Sequence, residues 1–290
     1  MQKIIDVSEH NGHIDWAKVK ESGAHAIIRC GYGQDIASQD DKRWFYNASE
    51  CARLGIPFGA YLYSYAVTES QVLGEVDHAV RLCKLYRDAM AYPLYFDSEE
   101  KKTAARAAVN AVIFCNNIAS EGFTPGVYAS QSWWQDYLPN LPKSYSRWVA
   151  RWSGNEPNVA WDVWQYSNKG TCPGVPATSE GGVDVNWGKM AVSAPEVEIE
   201  VADDMATVDE LAQMCLEEKL GNGVERKKEL GGLYACVQTI VNARLGAPAN
   251  RQLLAELAAQ AANGMWGNGV VRAKALGSAY DIVQDYINSQ

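Results

Sequence analysis

The segment Tyr92-Pro93-Leu94-Tyr95-Phe96-Asp97-Ser98-Glu99-Glu100 is an aromatic, strand-like run that ends in acids. Side chains of an extended chain alternate faces, so Asp97 and Glu99 point the same way, about 7 Å apart along the strand. Two carboxyls so placed repel in water, but in a partly desolvated cleft one of them keeps its proton near neutral pH. Hydrolysis of a glycosidic bond needs such a pair. A protonated acid serves the leaving oxygen, and a negative charge or nucleophile lies below the forming oxocarbenium-like carbon. Taken alone, a strand-end Asp-x-Glu is more often a helix cap or a solvated loop pair, so the elements around it must decide.

Up to about residue 192 short apolar segments alternate with longer amphipathic ones. Ile4-Ile5-Asp6-Val7, Ala26-Ile27-Ile28-Arg29-Cys30, Pro57 to Tyr63 and Pro93 to Asp97 read as strands, with helices predicted over about 41–54, 69–87 and 103–121. This alternation predicts βαβ units around a parallel sheet. Further on, Gly126 to Ala129, Arg147 to Ala150, Val163 to Tyr166 and Val183 to Val185 read as strands with little helix between them. About eight strands in one domain over 1–192 favour an irregular α/β barrel of the TIM-like kind, whose active sites gather at the carboxyl ends of the strands. Asp6, Asp97 and Asp184 all fall at or near such ends.

Composition narrows the partners. A net charge of −9 and the lack of a dense basic run argue against nucleic acid or anionic membrane. The seven scattered cysteines form no Cys-x-x-Cys pair and are expected to be reduced thiols. Four histidines with no completing ligand set imply no metal, and no phosphate-cradling glycine motif implies a cofactor. The start Met1-Gln2-Lys3-Ile4-Ile5-Asp6 has no secretory pattern, so synthesis in a cytoplasm is expected. Tyr61, Tyr63 and Tyr65 alternate at period two and share one strand face, and Arg29, at another strand end, is a candidate for a cleft.

Residues 193–205, with a proline among alternating acids, read as an extended linker. Beyond it the chain repeats at a spacing of 46: Glu210-Leu211-Ala212 returns as Glu256-Leu257-Ala258, Gly221-Asn222-Gly223 as Gly267-Asn268-Gly269, and Arg226 as Arg272. Such a period predicts two supersecondary modules, 206–246 and 252–290, each of two or three short helices with Gly-Asn-Gly as a turn. Small modules of this kind usually bind rather than catalyse. Arg226 and Arg272 are either solvated or locally paired helix residues, or donor forks for carboxylate and carbonyl groups.

Two resemblances follow from these motifs. "IIDVSEHNGHIDWAKVK", "AIIRCGYG", "GIPFGAYLYSYA", "YPLYFDSEE", "GFTPGVYASQSWW", "WQYS" and "VDVNW", in this order over residues 4–187, resemble the muramidases of glycoside hydrolase family 25. The repeat units, with "VDELAQMCLEEKLGNGVERKKEL" and "YACVQTIVN", resemble the CW-seven cell-wall-binding repeat of phage lysins. The first resemblance implies Glu99 as general acid, Asp97 as its partner in a substrate-assisted, retaining reaction, and Asp6 and Asp184 in support. It also implies that Tyr61, Tyr63, Tyr128 and Trp164 line the glycan cleft. The second implies that Arg226 and Arg272 bind muropeptide. Together they imply a phage-type endolysin acting on peptidoglycan, reaching the wall from the host cytoplasm after membrane permeabilisation. A bacterial autolysin, a wall-binding protein without activity and a chitinase-like enzyme are the alternatives.

Overall fold

The computed structural model describes residues 1–179, 181–189, 208–220, 222–262, 266 and 276–288. They fall into two compact units. The first is a closed barrel whose strands follow one another in chain order. Its elements are β1 (Gln2–Val7), α1 (Trp16–Glu21), β2 (His25–Tyr32), α2 (Trp44–Leu54), β3 (Phe58–Tyr63), α3 (Glu69–Cys83), β4 (Met90–Asp97) and α4 (Ala107–Ser120). β5 (Pro125–Ser130), α5 (Gln131–Asp136), β6 (Ser146–Ala150), β7 (Val163–Gly170) and β8 (Val183–Gly188) complete it.

The helices begin where sequence chemistry allows. Thr68 accepts from the Gln71 amide and Gln71 reaches back to the Thr68 amide, a reciprocal cap for α3. Gly55 ends α2 at φ 62°, a left-handed conformation that costs glycine nothing.

Neighbouring strands from β1 to β7 are parallel, but β8 runs antiparallel to both β7 and β1. The irregularity expected of the barrel's second half lies here. Among the described residues no helix separates β7 from β8, whereas a parallel return is usually made through one.

Period-two alternation sorts each strand into an outer and an inner face. Outward residues such as Ile5, Ile28, Phe58, Leu62, Phe96 and Val149 pack under the helices. Inward residues Ile4, Ile27, Tyr95, Tyr128, Trp148 and Val163 fill the barrel. Gly126 makes that filling possible, since a β-carbon there would lie 2.4 Å from the Tyr95 ring.

The second unit contains α6 (Val208–Leu216), α7 (Val224–Leu230), α8 (Tyr234–Arg244), α9 (Arg251–Ala262) and a last helix, Tyr280–Asn288. One core joins both sequence repeats: Ala212, Cys215, Ala235 and Ile240 pack with Leu253, Leu257 and Val283. Asp209 of the first repeat accepts from the Arg244 guanidinium at 2.7 Å and from the Ser278 amide of the second at 2.9 Å. The predicted linker 193–205, the second Gly-Asn-Gly and Arg272 lie outside the described residues. All seven cysteines are buried and free.

Candidate active site

On four strands the inward face changes chemistry within two residues of the mouth. Ile4 is followed by Asp6, Ile27 by Arg29, Tyr95 by Asp97, and Val163 by Gln165. On β8 the order is reversed, because that strand enters from the mouth: Asp184 comes first and Asn186 lies deeper. Asp184 therefore sits at the amino end of its strand, where a carboxyl end was expected, and reaches the same mouth. Register places it directly opposite Asp6. Glu99 stands just past β4, whose pairing continues through the Ser98 amide, donating to the Tyr128 carbonyl at 2.9 Å.

These residues line two adjoining hollows. The wider, about 480 Å³, is bounded by Asp6, Arg29, Tyr61, Tyr63, Glu99 and Asp184. The narrower, about 120 Å³, shares those residues and adds Asp97, Tyr128, Trp148 and Gln165. The structure thus brings together all four acids, the three predicted tyrosines and Arg29.

The acids crowd one another. Asp6 is 5% exposed. It accepts from the Asn186 amide at 2.7 Å and from the Gln165 amide at 3.2 and 3.3 Å. Burial, and then the charge of Asp184, nevertheless push its pKa well above the usual carboxylate value. Asp97 is likewise raised well above that value, by burial first and then by Glu99 and Asp6, with Arg29 opposing. Among the described residues its Oδ1 is buried without a hydrogen-bond partner. Glu99 is exposed, yet the surrounding protein, then Asp184 and Glu100, also raise it. The bowl consequently keeps protons at a pH where ordinary carboxyls have lost theirs.

A network of neutral side chains holds the bowl in shape. Gln165 Oε1 accepts from the Tyr128 hydroxyl at 3.0 Å and from the Trp152 indole at 2.9 Å. The Trp148 indole donates to Asn186 Oδ1 at 2.8 Å, which orients that amide toward Asp6. Sequence reasoning missed Gln165, Asn186 and Trp148, although the first two lie inside the quoted "WQYS" and "VDVNW". Arg29 is less free than a strand-end cation suggests. It donates to Asp41 at 2.8 Å and to Glu9 at 2.9 Å, so its charge is clamped between two acids.

Trp164 is a correction. It lies on the outer face of β7, packed in the core between strands and helices, and its indole donates to the Arg151 carbonyl at 2.9 Å. Alternation puts its neighbour Gln165 in the cleft instead.

In the second unit Arg226 is 8% exposed. It donates to Gln238 at 3.2 Å, Asn222 at 2.9 Å and the Cys215 carbonyl at 3.3 Å. It borders a hollow of about 500 Å³ together with Lys227, Tyr234 and Asn250 and, from the second repeat, Glu256. Local pairing and an open groove are both present there.

Comparison with known proteins follows this division. The profile of glycosyl hydrolases family 25 matches residues 5–175, and that of the CW_7 repeat matches residues 209–245. Lysozyme M1 of Streptomyces globisporus is 26% identical over 200 residues, which is 63% of this chain and 66% of that protein. The autolytic lysozyme of Clostridium acetobutylicum is 23% identical over 181 residues, 61% of this chain and 54% of the relative. The chain therefore spans about half to two thirds of the length of these relatives. Among solved structures, the modular autolysin LytC of Streptococcus pneumoniae superposes with a TM-score of 0.54 at 30% identity, over 64% of this chain and 46% of its own. The catalytic domain of endolysin ply40, from a bacteriophage of Listeria monocytogenes, gives 0.57 at 25% identity, over 64% of this chain and 92% of its own. With that profile covering more than half of its 290 residues, the chain belongs to glycosyl hydrolases family 25.

Proposed function

We propose that the chain is a peptidoglycan hydrolase, an N-acetylmuramidase that cleaves the β-1,4 bond between N-acetylmuramic acid and N-acetylglucosamine. The observation that carries this reading is the meeting of Asp6, Asp97, Glu99 and Asp184 in one open cleft, two of them opposite each other across the closing strand pair. Glu99 is the general acid: it faces solvent, from which it can regain a proton, and its longer stem reaches a bond lying over the mouth. Its raised pKa favours the protonated form compared with an ordinary glutamate.

Asp97 is the partner. Its unpartnered Oδ1 can accept the amide N–H of the sugar's 2-acetamido group, whose carbonyl oxygen then attacks the anomeric carbon as the leaving oxygen takes the Glu99 proton. That hydrogen bond favours the charged form of Asp97, which in turn holds Glu99 protonated. Water, with Glu99 now acting as base, opens the oxazolinium-like intermediate and retains the anomeric configuration. Asp6 and Asp184 hold the negative field beneath the reacting carbon.

The second unit is the wall-binding part, with Arg226 and Arg272 as donors to muropeptide carbonyl and carboxylate groups. The profile of a CW_7 repeat supports a wall-binding role for this unit, and a LytC structure described as a complex with a synthetic peptidoglycan ligand supports peptidoglycan as the partner of the chain. A lysin role, made in a host cytoplasm and released onto the wall, is supported by an endolysin domain among the similar structures. No described helix is long and apolar enough to cross a membrane.

Digestion of purified peptidoglycan, borohydride reduction and mass spectrometry test the reaction. Reduced muramic acid ends are expected; reduced glucosamine ends or freed stem peptides would assign it to another lytic class.

A further inference from the structure

Trp152 follows β6 and is 59% exposed, yet it is not loose. Its indole N–H donates to Gln165 Oε1 at 2.9 Å, and Gln165 is itself buried. The flanking backbone is fixed as well. The Arg151 amide donates to the Gln165 carbonyl at 2.9 Å, and the Arg151 carbonyl accepts from the Trp164 indole at 2.9 Å. One edge of the ring is therefore pinned to the wall of the narrower hollow while much of its surface faces water. A tryptophan held this way has lost its rotamer freedom before any ligand arrives, which removes a cost of binding. Its π face is negative, and a pyranose ring presents a face of positively polarised C–H groups.

The tie also runs inward. Gln165 uses its oxygen for Trp152 and Tyr128, and this fixes its amide nitrogen toward both oxygens of Asp6. We propose that Trp152 is a stacking platform for a pyranose ring flanking the scissile bond, and that its indole N–H positions Gln165 and, through it, Asp6. This rests on the glycan-hydrolase reading above and adds a residue to it.

The test uses the full chain carrying Glu99→Gln, titrated calorimetrically with a tetrasaccharide of alternating N-acetylglucosamine and N-acetylmuramic acid without stem peptides. Adding Trp152→Ala should weaken binding about tenfold, whereas Trp152→Phe, which keeps an aromatic face, should weaken it by less than about threefold. Thermal melts of both variants should overlay the parent's, because the side chain is largely exposed. With Glu99 restored, Trp152→Phe should lower kcat more than it raises KM, since the tie to Gln165 is gone. Equal affinity with and without Trp152→Ala overturns the platform, and a Trp152→Phe enzyme with unchanged kcat overturns the positioning role. A tetrasaccharide bound through Trp152 by a chain that releases no muramic acid ends would overturn the reaction and leave the platform standing.

Discussion

The floor and the mouth of the barrel are built from the same strands on the same inward face, two residues apart, and they are opposites. At the floor Ile4, Ile27, Tyr95 and Val163 are fully buried and apolar, and the Tyr95 hydroxyl meets Ser146 at 3.1 Å. At the mouth Asp6, Arg29, Asp97 and Gln165 take the next inward positions, and burial followed by neighbouring carboxyls raises the pKa of both acids. Like charges placed directly opposite across a strand pair are destabilising, so the mouth lowers stability that the floor must supply. Position along the strand, and not facing alone, separates packing from chemistry.

Substitutions at the two levels sharpen this contrast. Glu99→Gln should reduce kcat by about 10²- to 10⁴-fold, roughly 3 to 5 kcal/mol of transition-state stabilisation, with an unchanged melting profile. A variant that lyses walls at near-normal rate would remove Glu99 from the chemistry. Ile27→Ala should do the reverse, costing about 2 to 5 kcal/mol in urea unfolding while turnover per folded molecule stays the same.

The pH dependence of stability comes next. Asp6 and Asp97 bind protons more tightly folded than unfolded, so the stability they contribute is complete below about pH 4 and is lost as pH rises through their raised folded values. Unfolding free energy should fall over that rise, and Asp6→Asn should flatten the curve. An unaltered slope in that variant would mean the bowl is not where the protons are held. The smallest effect concerns Asp97→Asn. Replacing a buried carboxyl that crowds Glu99 and Asp6 should raise stability by about 1 kcal/mol at neutral pH even as cleavage drops, a trade that calorimetry and a turbidity assay on cell walls would expose together.

Much of this was legible in the chain. The strands in the first half, the helices between them and the acids Asp6, Asp97 and Glu99 follow from residue type and period, because alternation and charge are local properties. The shared face of Tyr61 and Tyr63 follows from the same rule. The resemblance placed Trp164 at the cleft, whereas strand parity gives that position to Gln165. Asp184 was placed correctly at the mouth, but at the wrong end of its strand, since chain direction depends on the connection and not on the strand's own residues. Gln165 and Asn186 carry no charge and no motif of their own. Their role exists only once Asp6, Trp148 and Tyr128 surround them. The common core of the two repeats was equally invisible, because each copy by itself shows an apolar stripe without saying what covers it.

The antiparallel seam between the first and last strands has a consequence for timing. Asp6 is made almost at once and Asp184 only near the end of the barrel sequence, and their meeting is the same event that shuts the ring. A ribosome-bound or truncated chain lacking the final strand owns the acid and its partner on β4 but not the assembled field around them. Assembly of the four-acid cleft is thereby tied to completion of the barrel.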